Sequence, residues 1–237
     1  MSGIYIKELK SYFSSMTTYI FFFLFLLTGG YAFTHRALIE GSSQMAGFFS
    51  DISIVMMGLV PLLTMKLFWA DRRSGVMKQL LASRLTAGKI VLGKYFAALT
   101  VLATALGATL VYVLILAIFA YPSAAEILIC YAGFALFSAA LISIGVFLSA
   151  LTTRIVTAAT STFGSLFCIW SISAILPSMS SGLLRSVLEF FSVYTRFRRW
   201  LMGIISLSGA VYFISVAVVF LLVASAVFEY SRRHHRR

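Results

Sequence analysis

The sequence predicts an all-helical (all-α) membrane protein with six transmembrane helices, and three observations carry that prediction. Of its 237 residues 61% are hydrophobic and only 11% charged, with a mean hydropathy of +0.99, outside the range of soluble globular domains. The apolar residues gather into six runs, each near the roughly 20 residues needed to cross a bilayer. The net charge of +12 sits at the ends of these runs and not in a stripe with interleaved aromatics, so it orients the chain in a membrane and does not describe a nucleic-acid surface.

Residues 1–17 read as an interfacial helix. Tyr5, Leu9, Tyr12, Phe13 and Met16 share one face, and Lys7, Lys10, Ser11 and Ser14 the other. The run after it has a basic flank, but Thr28 to Phe33 offers no good small-residue cleavage site, so it is expected to be retained as the first span. The spans are expected at about Thr18–Thr34, Phe48–Phe68, Tyr95–Ala120, Ile127–Leu151, Ile155–Leu176 and Gly209–Tyr230.

An even number of spans puts both termini on one side. With that side cytoplasmic, only Arg36, Arg185, Arg196, Arg198 and Arg199 of the 19 Lys and Arg residues fall outside, which is the expected positive-inside bias. The basic segment 69–94 then lies in the cytoplasm between spans two and three. Its Leu80, Leu81 and Leu85 stand at helical spacing with Arg73, Lys78 and Arg84 around them, an apolar ridge with a charged rim suited to a groove on a soluble partner. Asp71 near the start of that helix favours its dipole. A solvated helix lying on acidic headgroups is the plainer alternative.

Segment 178–208, between spans five and six, is expected outside. Leu184, Val187, Leu188, Phe191 and Tyr194 repeat at three- and four-residue steps with Arg185, Ser186, Glu189 and Ser192 opposite, an amphipathic pattern. The following stretch from Arg196 to Gly209 is too basic and too glycine-broken for a seventh span and reads as a re-entrant helix packed against protein.

Chemistry is scarce within the spans. Spans three, four and five carry no Asp, Glu, Lys, Arg or His, and Asp51, Lys66 and Glu229 sit at span ends where snorkelling explains them. An ion-coupled carrier needs an ionisable site near the midplane, and an intramembrane protease needs a nucleophile with a base, paired acids or a metal cluster; neither pattern is present. The histidines are His35, in an expected loop, and His234-His235 in the tail. Cys130 and Cys168 show no metal-ligand spacing and read as buried small hydrophobes. No catalytic, cofactor or metal residue is nominated. No phosphate-binding G-x-x-x-x-G-K-[ST] loop occurs, so any ATPase must be another polypeptide, which would hold the ATP and Mg.

The chain resembles the permease subunits of ABC-2 type ABC transporters, in particular the GldF/NosY-like branch of gliding motility and nitrous-oxide-reductase maturation. The first cluster carrying the resemblance comprises Ile6 to Phe13, Pro61 to Lys66, Asp71-Arg72-Arg73-Ser-Gly75, Leu80-Leu81 and Ile90 to Lys94. The second comprises Phe197, Trp200 and Gly203 followed by Tyr212-Phe213. The chain departs from the family pattern at Ala70, Val76, Lys78, Arg84 and Arg154-Ile155; a Glu is usual where Lys78 stands.

The resemblance implies one ABC-2 type transmembrane domain over residues 1–237 and a multi-pass location in the inner (cytoplasmic) membrane. It also implies a second permease subunit and a separate ABC ATPase docked on a coupling helix that includes Asp71, Arg72, Arg73, Gly75, Lys78, Leu80, Leu81 and Arg84. It implies further an external partner or gate contact through Leu184, Leu188, Phe191, Phe197, Trp200 and Gly203, with an auxiliary subunit bearing a large external domain as one such partner. Two other classes stay open. A membrane scaffold would recruit partners through the loop and the tail from Arg232 to Arg237, and a pore is disfavoured by the lack of a filter-like loop.

Overall fold

The computed structural model describes residues 2–39, 45–73, 86–120, 123–176, 188 and 192–234. Among them every regular element is a helix: α1 (Ser2–Phe13), α2 (Met16–Phe33), α3 (Met45–Thr64), α4 (Trp69–Arg73), α5 (Ala87–Ala120), α6 (Ala124–Leu151), α7 (Ile155–Ile175), α8 (Val193–Leu201) and α9 (Leu207–His234). Six stretches are long and apolar enough to span a membrane: Met16–Arg36, Met45–Arg73, Ala87–Ile118, Ala124–Leu151, Ile155–Ile175 and Leu207–Tyr230.

Helix ends differ from expectation for local reasons. Pro61 lies within α3, where it lacks an N–H for the preceding turn; α3 ends three residues later, and a turn at residues 65–68 leads into the five-residue α4. The helix of span three begins at Ala87 and not at Tyr95, because Lys89 and Lys94 interrupt the apolar run without interrupting the backbone. Its 34 residues measure about 51 Å, so it outreaches the hydrocarbon layer of about 30 Å. His35 and Arg36 continue α2 as a wider π turn, Thr34–Ile39, where a loop was expected. There Arg36 meets Asp51 of α3 through two bonds of 3.0 Å, Nε to Oδ2 and Nη2 to Oδ1, so Asp51 is a paired residue and does more than snorkel.

The bundle is built around α6, which packs against α3, α5, α7, α8 and α9. A helix buried on nearly all sides has no polar face to spare, and α6 between Cys130 and Ala150 is apolar or small throughout. Its small residues set the approach distances. A Cβ on Gly145 would lie 2.6 Å from Thr64 Oγ1 of α3, and one on Gly133 would lie 2.6 Å from Trp200 Cβ of α8. An aromatic cluster of Phe25, Phe49 and Phe134 joins α2, α3 and α6. By contrast α7 is the least covered span, and Cys168 is exposed on it. That corrects the expectation of two buried cysteines: a small apolar thiol can face lipid at little cost.

At one end, α8 caps the bundle. Its nine residues rise about 14 Å, too little to cross. Ser192 caps its start by accepting from Thr195 N–H at 3.3 Å. Its far end closes as a Schellman motif: Gly203 takes φ +73°, its N–H donates to Trp200 O at 3.1 Å, and Ile204 N–H donates to Arg199 O at 3.3 Å.

Because Thr64 is short and β-branched, it cannot swing away from an added methyl. Gly145→Ala is expected to lower stability by about 1–3 kcal/mol, with partial recovery when Thr64→Ala is added; reversible unfolding in mixed micelles measures both.

Candidate functional site

At the opposite end the chain buries charge. Lys94, on the second turn of α5, is 1% exposed. Its Nζ lies 2.8 Å from Glu8 Oε1 of α1, donates to Leu67 O at 2.7 Å, pairs with Asp71 Oδ2 of α4, and stands 5.2 Å from the centre of the Phe68 ring. Asp71 is itself 6% exposed and reaches Lys7 at 3.4 Å through its other oxygen. Such a cluster persists away from water only when its charges are paired: Lys94 meets two carboxylates and a carbonyl, and Asp71 meets two ammonium groups.

The neighbouring contacts hold the same elements together. Arg72 donates to Thr152 O at 2.7 Å and Ala150 O at 2.8 Å, satisfying carbonyls at the C-terminal end of α6 where a cation also suits the dipole. Tyr12 OH donates to Leu63 O at 2.8 Å; burial first, and the nearby Glu8 carboxylate second, push its pKa well above the usual phenol value, so it serves as a neutral donor. Tyr5 OH meets Thr100 Oγ1 at 2.8 Å, and Ile4 packs so closely on Gly93 that a Cβ there would stand 3.0 Å from it. Helix α1 is thus clamped to the start of α5 and the end of α3.

Of the residues nominated for ATPase coupling, Asp71, Arg72 and Arg73 are described. Asp71 and Arg72 point into the bundle, and Arg73 stacks on Trp69 at 5.2 Å. Gly75, Lys78, Leu80, Leu81 and Arg84 lie outside the described residues. The two sides of segment 74–85 nevertheless meet at one point, since Asp71 precedes it, Lys94 follows it, and the two are paired.

Of the residues nominated for external contact, Leu184 and Phe191 lie outside the described residues, and Leu188 is half-buried. Phe197 and Trp200, nominated for an external partner or a gate, are buried within the bundle. Phe197 stacks on Phe137 at 4.5 Å, and Trp200, 5% exposed, is wedged between Gly133 of α6 and Gly209 of α9. Their aromatic area seats α8 on the bundle and is spent there. Gly203 is the helix-ending glycine, and Met202, Ile204, Ile205 and Leu207 are the exposed apolar residues beside it.

Glu8 was not singled out from sequence, although one signal was available: it is the only acidic residue among residues 1–39. An isolated acid on a helix bearing Lys7 and Lys10 needs a reason to be there, and Lys94 supplies it.

No protein-family model matches the chain, and no curated protein matches it. The class it belongs to is therefore defined by its fold: a multi-pass, all-helical membrane protein.

Lys94→Met leaves buried Glu8 without its ammonium partner and removes one of the two lysines that face Asp71, and is expected to cost about 3–5 kcal/mol. The triple change Glu8→Gln, Asp71→Asn, Lys94→Met should recover most of that loss, as read by unfolding of the purified protein in micelles.

Proposed function

We propose that the chain is the membrane-spanning subunit of an ATP-driven complex of the ABC-2 type. In this reading both termini and segment 69–94 face the cytoplasm of a cell whose inner membrane holds the six spans. A separate ABC ATPase docks on that segment through Gly75, Lys78, Leu80, Leu81 and Arg84, and a second permease subunit completes the transmembrane unit.

The observation that most supports the reading is the pairing of Asp71 with Lys94 across the base of segment 74–85. A force applied to that segment by a closing ATPase has little slack to take up before it reaches buried contacts. From Asp71 and Lys94 it passes to α1 through Glu8, and from Arg72 to the end of α6, the helix against which five others pack. The output is either export of a cargo or mechanical signalling at the far end, where α8 rides on α6 through Phe197 and Trp200. In the second case an auxiliary subunit with a large external domain receives the motion.

The chain is extracted from its native membrane in mild detergent, and stoichiometric companions are identified by mass spectrometry. A cytoplasmic protein with phosphate-loop motifs is expected; the chain alone, even after crosslinking, would overturn the motor reading in favour of a passive scaffold. Lys78→Glu is expected to reduce the amount of ATPase recovered, with unchanged recovery sinking the electrostatic role of that lysine.

A further inference from the structure

Beside the ion cluster, α1, the start of α2 and the end of α3 enclose a cavity of about 270 Å³. Its wall holds more hydrogen-bonding capacity than the protein itself uses. Ser15, the N-cap residue of α2, makes no side-chain cap bond. Thr17 and Thr18 have hydroxyls with no hydrogen-bond partner among the described residues, and Thr18 is only 3% exposed. A hydroxyl that opens onto the cavity and makes no bond within the protein is free to donate to a ligand that reaches it.

The electrostatics select the sign of that ligand. Lys66 lines the cavity with no carboxylate in ion-pair range among the described residues. Lys7, half-exposed and 3.4 Å from Asp71, also lines the cavity, and the first turn of α2 presents the positive end of an 18-residue helix. Glu8 and Asp71 also line the cavity, but both are held by Lys94. An anion with several acceptor oxygens satisfies hydroxyls, ammonium groups and helix end together.

The position selects its source. Thr17 and Thr18 begin one span, and Leu63 to Lys66 stand where α3 closes ahead of the charged Asp71-Arg72-Arg73, so the cavity lies near where spans leave the hydrocarbon, at headgroup depth. Leu62 and Trp69 supply an apolar wall suited to a glycerol backbone and the first methylenes. We propose that this cavity binds the phosphate of a membrane phospholipid. Lys66 and Lys7 supply the charge, Ser15, Thr17 and Thr18 the O–H donors, and the bound lipid ties α1 to the ends of α2 and α3.

The test uses the full-length protein, delipidated in detergent and titrated with dioleoyl phosphatidylglycerol, with dioleoylglycerol and with inorganic phosphate; bound ligand is counted by native mass spectrometry. One phosphatidylglycerol is expected to be retained at concentrations where dioleoylglycerol is not. The variant Lys66→Gln with Thr18→Val should weaken that retention by about tenfold or more. Valine matches threonine in shape and removes a hydroxyl that had no partner, so unfolding of the ligand-free variant should match wild type; Lys66→Gln alone gives the same readout in weaker form. Equal retention of the two lipids, or of phosphatidylglycerol by wild type and variants, overturns the proposal. Retention of inorganic phosphate that depends on Lys66 and Thr18 and is not displaced by phosphatidylglycerol overturns the lipid source and assigns the cavity to a soluble anion.

Discussion

A single buried ammonium organises one end of this protein. Lys94 is surrounded by Glu8, Asp71 and the Leu67 carbonyl, groups drawn from α1, from α4 and from the turn that follows α3. Removing that charge from water is expensive, and only the simultaneous presence of all its partners makes the arrangement tolerable. The cost enforces geometry: α1, the turn after α3 and α4 must converge on the ammonium, and α5 must begin well before its apolar span. Tyr12 and Tyr5 bond to elements the lysine has already brought together, and Arg72 extends that end to the close of α6.

The far end is held by different physics. There the approach of α8 to α6 and α9 depends on the absence of side chains at Gly133 and Gly209, between which Trp200 fits, and on the stacking of Phe197 against Phe137. Shape does there what charge does at the other end. Between the two, α6 runs through the bundle with Gly145 against Thr64 and Gly133 against Trp200, so the same helix is in close contact at both levels. A tightly packed helix transmits displacement, and this one joins the buried ion cluster, through Arg72, to the capping helix.

Much of the fold was legible in the residues. Six spans follow from six apolar runs, because in lipid a backbone must satisfy its own polar groups and a run of that length has no other way to do so. A helix at the N-terminus followed from periodicity alone, whereas the amphipathic repeat read from Leu184 to Tyr194 lies mostly outside the described residues. Less legible were the starts of helices. Tyr95 marks where the apolar run begins, but Ala87 marks where the helix does, since backbone bonding continues past the first lysine it meets. The site was legible in part. Asp71 and Arg72 were picked out only through the resemblance, their inward orientation was not foreseen, and Phe197 and Trp200 looked suited to an outside partner or a gate.

By itself the sequence determined a multi-pass all-helical protein with charge gathered at span ends, because length and hydropathy act locally and need no knowledge of neighbours. Only the tertiary structure decided which charges leave water. Lys94 is 86 residues from Glu8 in the chain, and no local pattern distinguishes it from Lys89, which lies on the same helix five residues earlier. Its burial is a consequence of two helices and a turn converging on one point, and convergence is a property of the packed bundle.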